Sequence, residues 1–67
     1  MEVYKQKILK VINESDQPVS IAELTRRTGI RNTNTCKANA LELVIAGHIK
    51  GFQNEEKHWY FTRVTLE

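Results

Sequence analysis

The segment Ser20–Gly47, SIAELTRRTGIRNTNTCKANALELVIAG, decides how this chain folds. Ser20 followed by Glu23 forms a capping box, in which the hydroxyl and the carboxylate bond amides left unpaired at a helix start. A short amphipathic run follows and ends at Gly29, since glycine tolerates the left-handed conformation of a helix C′ position. A polar bridge leads into a longer helical run that ends at Gly47. The segment therefore predicts two helices joined by a tight turn, the pattern of a helix-turn-helix.

The longer of these two helices has a predicted buried face. The shorter helix spans about residues 21–28, and the longer one begins at Asn32 or Thr33, both suitable N-caps, and continues to Ala46. Helical spacing places one buried stripe on the longer helix, consisting of Cys36, Ala40, Leu43, Val44 and Gly47. Polar or charged residues lie off that stripe, namely Asn34, Thr35, Lys37, Asn39 and Glu42. Leu41 and Ile45 also lie off it, and we expect them to contact the first helix, with a protein interface as the alternative.

Apolar residues recur at helical spacing before this segment and alternate as in strands after it. Residues 3–14 predict an amphipathic helix whose apolar face carries Tyr4, Ile8, Val11 and Ile12. Turn-forming residues follow, and Val19 adds one extended residue that can pair with a hairpin elsewhere. Residues 48–52 and 58–64 alternate as strands around a polar turn, which predicts a two-stranded hairpin. We expect Trp59 and Phe61 to face the helices together with Ile49.

Length and composition limit the classes of protein to consider. The chain of 67 residues is interpreted as one domain, with 40% apolar residues and a net charge of only +2. Its single cysteine, Cys36, is typical of a reducing cytoplasm, and no stretch predicts a signal peptide or a membrane span. Leu66 and Glu67 are interpreted as a remnant of cloning. A domain of a longer regulator is the alternative to a complete protein.

Three helices followed by a hairpin resemble the winged helix-turn-helix domain of small regulators of the MarR and ArsR type. The residues that carry the resemblance are PVSIAELTRRTGI at 18–30 and LELVIAGHIKGF at 41–52, whose glycine exit is similar to the family's L-x-x-x-G-L-I ending. The resemblance covers nearly the whole chain. It implies an α+β fold, with a helix-turn-helix over about residues 20–47 and a wing over about residues 48–64.

The resemblance also implies a DNA-reading surface on the third helix, which such domains insert in the major groove. Asn can bond adenine, Lys can bond guanine, and Thr can offer a methyl group to thymine. The predicted reading residues are Asn32, Thr33, Asn34, Thr35, Lys37, Ala38 and Asn39. The alternative is a polar cap on an ordinary surface helix.

Three arginines are expected to bind phosphates beside that surface, namely Arg26, Arg27 and Arg31. The alternative is a solvated helix C-terminus, where the helix dipole favours cations. The predicted wing tip departs from the family because it carries Glu55 and Glu56, and carboxylates oppose contact with phosphates. So few basic residues predict modest affinity per monomer and a shallow salt dependence.

Other kinds of chemistry find little support. The sequence contains no nucleophile–base pair, cofactor motif or metal-ligand spacing, so we expect no catalytic residue, no metal and no cofactor. Cys36 is interpreted as a packed core thiol, with a redox sensor as the alternative. The aromatic run at Trp59 is interpreted as part of the core, and base stacking in a single-stranded nucleic-acid binder is its alternative.

Together these features favour a small transcriptional regulator that binds double-stranded DNA without enzymatic activity. Specific operators usually contain two half-sites, so a homodimer is expected. The rival hypothesis is a winged helix that contacts another protein, through Leu41 and Ile45, without binding DNA. Low net charge and the acidic wing favour the rival, whereas the acid-free run from Leu24 to Leu41 favours DNA.

Overall fold

A computed structural model describes residues 3–64, which form three helices and one three-stranded antiparallel sheet. The elements in chain order are α1 Val3–Asn13, β1 Val19–Ser20, α2 Ile21–Thr28, α3 Thr33–Ile45, β2 Ile49–Gln53 and β3 Trp59–Arg63. This confirms the predicted α+β class and the predicted order of helices and hairpin. The predicted number of strands, two, is wrong. Leu66 and Glu67, interpreted as a cloning remnant, lie outside the described residues.

The third strand is the two-residue β1, which joins the edge of the hairpin. The strand order is β1-β3-β2, and Val19 lies opposite Phe61 while Ser20 lies opposite Tyr60. Val19 is only 4% exposed, so its β-branched side chain joins the core while its backbone extends the sheet. Because β1 runs directly into α2, this pairing fixes the start of α2 against the sheet.

Side chains cap the starts of α2 and α3. The predicted capping box at α2 is confirmed only for its Ser20 half, because the Glu23 carboxylate pairs with Arg26 and accepts no bond from the Ser20 amide among the described residues. The Ser20 hydroxyl accepts a hydrogen bond from the Glu23 amide at 3.2 Å, and the Asn32 side chain accepts from the amides of Asn34 and Thr35 at 2.9 and 3.2 Å. Gly29 has φ 78° and donates its amide to the Thr25 carbonyl, as expected for a left-handed C-terminal cap.

One hydrophobic core joins all three helices to the inner face of the sheet. Its largest fully buried side chains are Ile8, Ile12, Leu24, Cys36, Leu43, Ile49 and Phe61. The predicted inward direction of Phe61 and Ile49 is confirmed, and half-buried Trp59 packs against the same core. Ile30 is 4% exposed although it belongs to the predicted polar bridge, so it fastens the turn between α2 and α3 to the core.

Several predictions of burial on α3 and α1 are wrong. Asn39, expected off the buried stripe, is 7% exposed, and its amide nitrogen donates to the Thr35 carbonyl at 2.9 Å. This bond satisfies the side chain within its own helix. Gly47, expected on the stripe, is exposed and has φ 83°, so it ends the helical segment instead of packing. Ile45, expected against α1, is 87% exposed, and Tyr4 is 39% exposed.

Candidate nucleic-acid interface

The contact between α2 and α3 determines which side of α3 faces outward. Cys36 of α3 is fully buried, and its thiol meets the hydroxyl groups of Thr25 and Thr28 from α2. Burial raises the pKa of the Cys36 thiol, and the side-chain interactions of the thiol with Thr25 and Thr28 partly oppose this rise. The neutral thiol therefore acts as a packed, hydrogen-bonded contact between the two helices.

The exposed side of α3 carries small polar groups in its first turns. Thr33, Asn34 and Ala38 are exposed, whereas Thr35 and Lys37 are half-buried. The side-chain amide of Asn34 makes no hydrogen bond within residues 3–64, so its donor and acceptor atoms are available to a ligand. This surface joins the turn that contains exposed Arg31.

The predicted phosphate-binding arginines do not share one environment. Arg31 is exposed and has no ion pair among the described residues. Arg26 is also exposed but pairs with Glu23 one turn earlier on α2. Arg27 lies against α1 and the segment that follows it, where its Nη1 donates to the Ser15 hydroxyl at 2.9 Å. Within the described part of the chain, no residue of α3 lines the two hollows that Arg27 borders.

Two further predicted reading residues have structural roles. Asn32 is the N-cap of α3, and its side-chain oxygen is occupied by the amides of Asn34 and Thr35. Asn39 is buried. The predicted residues that remain exposed or half-buried at or beside the α2–α3 turn are Arg26, Arg31, Thr33, Asn34, Thr35, Lys37 and Ala38. We name these seven residues the α3 surface.

The tip of the hairpin is held by one asparagine. The Asn54 side-chain oxygen accepts hydrogen bonds from the amides of Glu56 and His58 at 3.0 and 2.9 Å, and Lys57 adopts a positive φ of 64°. Glu55 and Glu56 are exposed at this tip, as the sequence predicts. Behind the tip, Phe52 and Tyr60 stack on the outer face of the sheet with ring centroids 5.8 Å apart.

Sequence reasoning missed a basic cluster between α1 and α2. Lys7 and Lys10 of α1 line the same groove as Arg27. Their spacing of three residues is visible in the sequence and places them on adjacent turns of a helix. Only the packing of α2 against α1, however, brings Arg27 to the same place.

An apolar area lies at the other end of α3. Ile45 is 87% exposed, and Leu41, one turn earlier, is half-buried. On this side of the molecule Lys5 of α1 pairs with Glu42 of α3 at 2.9 Å. The exposed isoleucine is thus bordered by an ion pair between two helices.

Within residues 3–64, no cluster of three or more metal-ligating side chains occurs, and no helix is both long and apolar enough to cross a membrane. Comparison with protein-family models and with curated proteins finds no match. The function is therefore inferred from the surface chemistry of the chain.

Proposed function

We propose that this chain is a winged helix-turn-helix domain that binds double-stranded DNA and acts as a small transcriptional regulator. The observation that carries the proposal is the α3 surface, which combines the Asn34 side-chain amide, without a hydrogen bond within residues 3–64, with the basic side chains of Arg31 and Lys37. Along α3 no carboxylate precedes Glu42. The order of three helices and a hairpin supports the same proposal, because winged domains place the third helix in the major groove.

In this proposal the start of α3 enters the major groove. Asn34 forms paired hydrogen bonds with an adenine edge, and Lys37 bonds a guanine edge. Arg31 and Arg26 bind the flanking phosphates, and Arg31 binds more strongly because Arg26 already pairs with Glu23. Three predicted residues are left out of the interface. Arg27 lines another groove, Asn32 caps α3, and Asn39 is buried.

The hairpin tip does not bind the duplex, because the exposed carboxylates of Glu55 and Glu56 repel phosphates. The hairpin instead supports the helices.

A homodimer that uses Ile45 and Leu41 supplies the two copies that a palindromic operator requires. The free, buried thiol of Cys36 fits a reducing cytoplasm. The proposed activity is binding, without enzymatic chemistry.

A gel-shift experiment with random duplex DNA tests the proposal. We expect Arg31→Glu and Lys37→Glu each to weaken binding by about tenfold or more, since the first places a carboxylate beside a phosphate and the second places one beside the acceptor atoms of guanine. The matched control is Lys10→Glu, the same reversal on α1, which we expect to leave binding unchanged. Asn34→Ala adds no charge and is expected to relax base preference while sparing nonspecific binding. Wild-type protein that fails to bind, or binds equally well after both reversals, contradicts the proposal.

The second candidate function is a module that contacts another protein. Ile45 favours it, because a large aliphatic side chain that is 87% exposed marks an interaction site when it borders other apolar groups. Light scattering during size-exclusion chromatography distinguishes the two uses of this area. A dimer that Ile45→Ser dissociates supports the regulator, whereas a monomer that binds no duplex supports the second candidate.

A further inference from the structure

A groove of about 410 Å³ runs between α1 and α2 and shares no residue with the α3 surface. We name it the α1–α2 groove, and its lining residues are Lys7, Lys10, Val11, Glu14, Arg27 and Thr28. Its volume falls in the range of roughly 300–1,000 Å³ that is usual for small-molecule sites. No residue of α3 lines it within the described part of the chain.

The charges of this groove favour an anion. Lys7, Lys10 and Arg27 contribute three positive charges and Glu14 contributes one negative charge, which leaves a net charge of +2. Neither lysine forms an ion pair within residues 3–64. Arg27 uses one guanidinium nitrogen on the Ser15 hydroxyl and retains the others for a ligand.

The other walls of the groove limit what kind of anion fits. Val11, which is 9% exposed, contributes a small apolar part of the wall, and the Thr28 hydroxyl already donates to the Leu24 carbonyl at 2.7 Å. The groove thus offers cations around a small apolar wall, and its hydroxyl group is occupied within the protein. A ligand that fits has one strongly charged group and a compact organic part.

The neighbouring surface disfavours a long polyanion. An adjoining hollow of about 380 Å³ shares Glu14 and Arg27 with the groove and adds the carboxylates of Asp16 and Glu23. A nucleic-acid strand that left the groove in this direction would bring its phosphates against these carboxylates. On the other side of α1, Lys5 is paired with Glu42. The bases of the groove therefore form a local site and do not continue the α3 surface.

We propose that the α1–α2 groove binds the phosphate of a small phosphomonoester, held by Lys7, Lys10 and Arg27, with its organic part against Val11. A phosphomonoester carries a charge of about −1.5 to −2 near neutral pH, which matches the net charge of the groove. The planar guanidinium of Arg27 suits two phosphate oxygens at once, and the lysines act as point charges beside it. This site is distinct from the proposed DNA interface.

An amide-resolved NMR titration of the whole chain with inorganic phosphate and with AMP, at constant ionic strength, tests the proposal. We expect saturable shifts at the amides around Lys7, Lys10 and Arg27, with tighter binding of AMP because its organic part gains contact with Val11. Lys7→Gln and Lys10→Gln are each expected to weaken binding by about tenfold, the usual effect of losing a charged hydrogen bond. The matched control is Lys50→Gln, which removes an exposed lysine from β2.

Each other outcome overturns the proposal. Linear shifts spread over the surface, or equal weakening by Lys50→Gln, indicate an adventitious ion only. Competition by a duplex oligonucleotide for the same amides assigns the groove to backbone phosphates instead of a small molecule. The titration with phosphate and AMP contains no DNA, so its failure leaves the gel-shift test of the α3 surface unaffected. Failure of the gel shift likewise leaves the titration unaffected.

Discussion

Cys36 couples the packing of α2 and α3 to pH. Its thiol is fully buried between the hydroxyl groups of Thr25 and Thr28, and burial raises its pKa above the ordinary value of 9.0. An acid whose pKa is raised in the folded state releases its proton more readily once the chain unfolds. Its contribution to stability is therefore present below pH 9.0 and is lost as pH rises above that value.

We expect the free energy of unfolding to fall between pH 7 and pH 10 more steeply in the wild type than in Cys36→Ala. The limiting slope from one thiol is about 1.4 kcal/mol per pH unit. Urea unfolding of both chains at several pH values measures it, and the difference between the two curves removes the titration of lysines and tyrosines. Parallel curves would show that Cys36 titrates alike in the folded and unfolded chains.

Gly29 and Asn39 show, residue by residue, what the sequence can reveal. A glycine after an amphipathic run predicts a left-handed cap, and Gly29 has φ 78°. Asn39 misleads because polarity normally indicates exposure, yet a bond to the Thr35 carbonyl lets the side chain be buried. That bond depends on the neighbours that enclose α3, which helical spacing alone does not specify.

At the scale of elements, the start of α3 depends on the side chain of Asn32. Its oxygen accepts two amide hydrogen bonds that the helix would otherwise leave unpaired. We expect Asn32→Ala to lower the free energy of unfolding by about 0.5–2 kcal/mol, as measured by urea denaturation. Asn32→Asp is the matched control, since its carboxylate keeps the cap. If both variants lose the same stability, the cap is not the cause.

The outer face of the sheet contains a stacked aromatic pair that is expected to contribute to stability. Phe52 and Tyr60 lie opposite each other on β2 and β3 and stack with an interplanar angle of 14°. A double-mutant cycle with Phe52→Ala and Tyr60→Ala is expected to give a coupling energy of about 0.5–1.5 kcal/mol. A control cycle that combines Phe52→Ala with Val3→Ala should show no coupling, because Val3 belongs to α1. Additive losses for both pairs would contradict the stacking contribution.

The elements differ in how far the sequence determines them. The hairpin follows from alternating apolar residues around a polar turn, and its predicted inner face is right at Phe61 and Ile49. The pairing of Val19 and Ser20 with β3 is a contact across some forty residues of chain, so local pattern allows it without requiring it. For the same reason, the meeting of Arg27 with Lys7 and Lys10 depends on how α1 and α2 pack.

At the scale of the whole molecule, the small net charge of +2 is divided among separate surfaces. Arg31 and Lys37 belong to the α3 surface, Lys7, Lys10 and Arg27 belong to the α1–α2 groove, and Glu55 and Glu56 occupy the hairpin tip. Each surface therefore has a local field that the total charge does not reveal. Assignments of function have to be tested surface by surface.

This division predicts a shallow salt dependence for duplex DNA binding. The proposed interface has Arg31 and Lys37 without ion pairs, and Arg26 in competition with Glu23. Arg31 and, in competition with Glu23, Arg26 neutralise one to two phosphates, which gives a slope of about −1 to −2 in a plot of log K against log salt, at about 0.9 for each phosphate. Fluorescence anisotropy with a labelled duplex at several salt concentrations measures the slope.

Arg31→Gln should reduce that slope by about 0.9, because it removes one phosphate contact. Lys10→Gln removes an equal charge from the α1–α2 groove and should leave the slope unchanged, since the groove contains no residue of α3. A steeper wild-type slope that falls equally in both variants would place α1 against the duplex. In that case the DNA would lie across α1 and α2, and the orientation proposed for α3 in the major groove would be wrong.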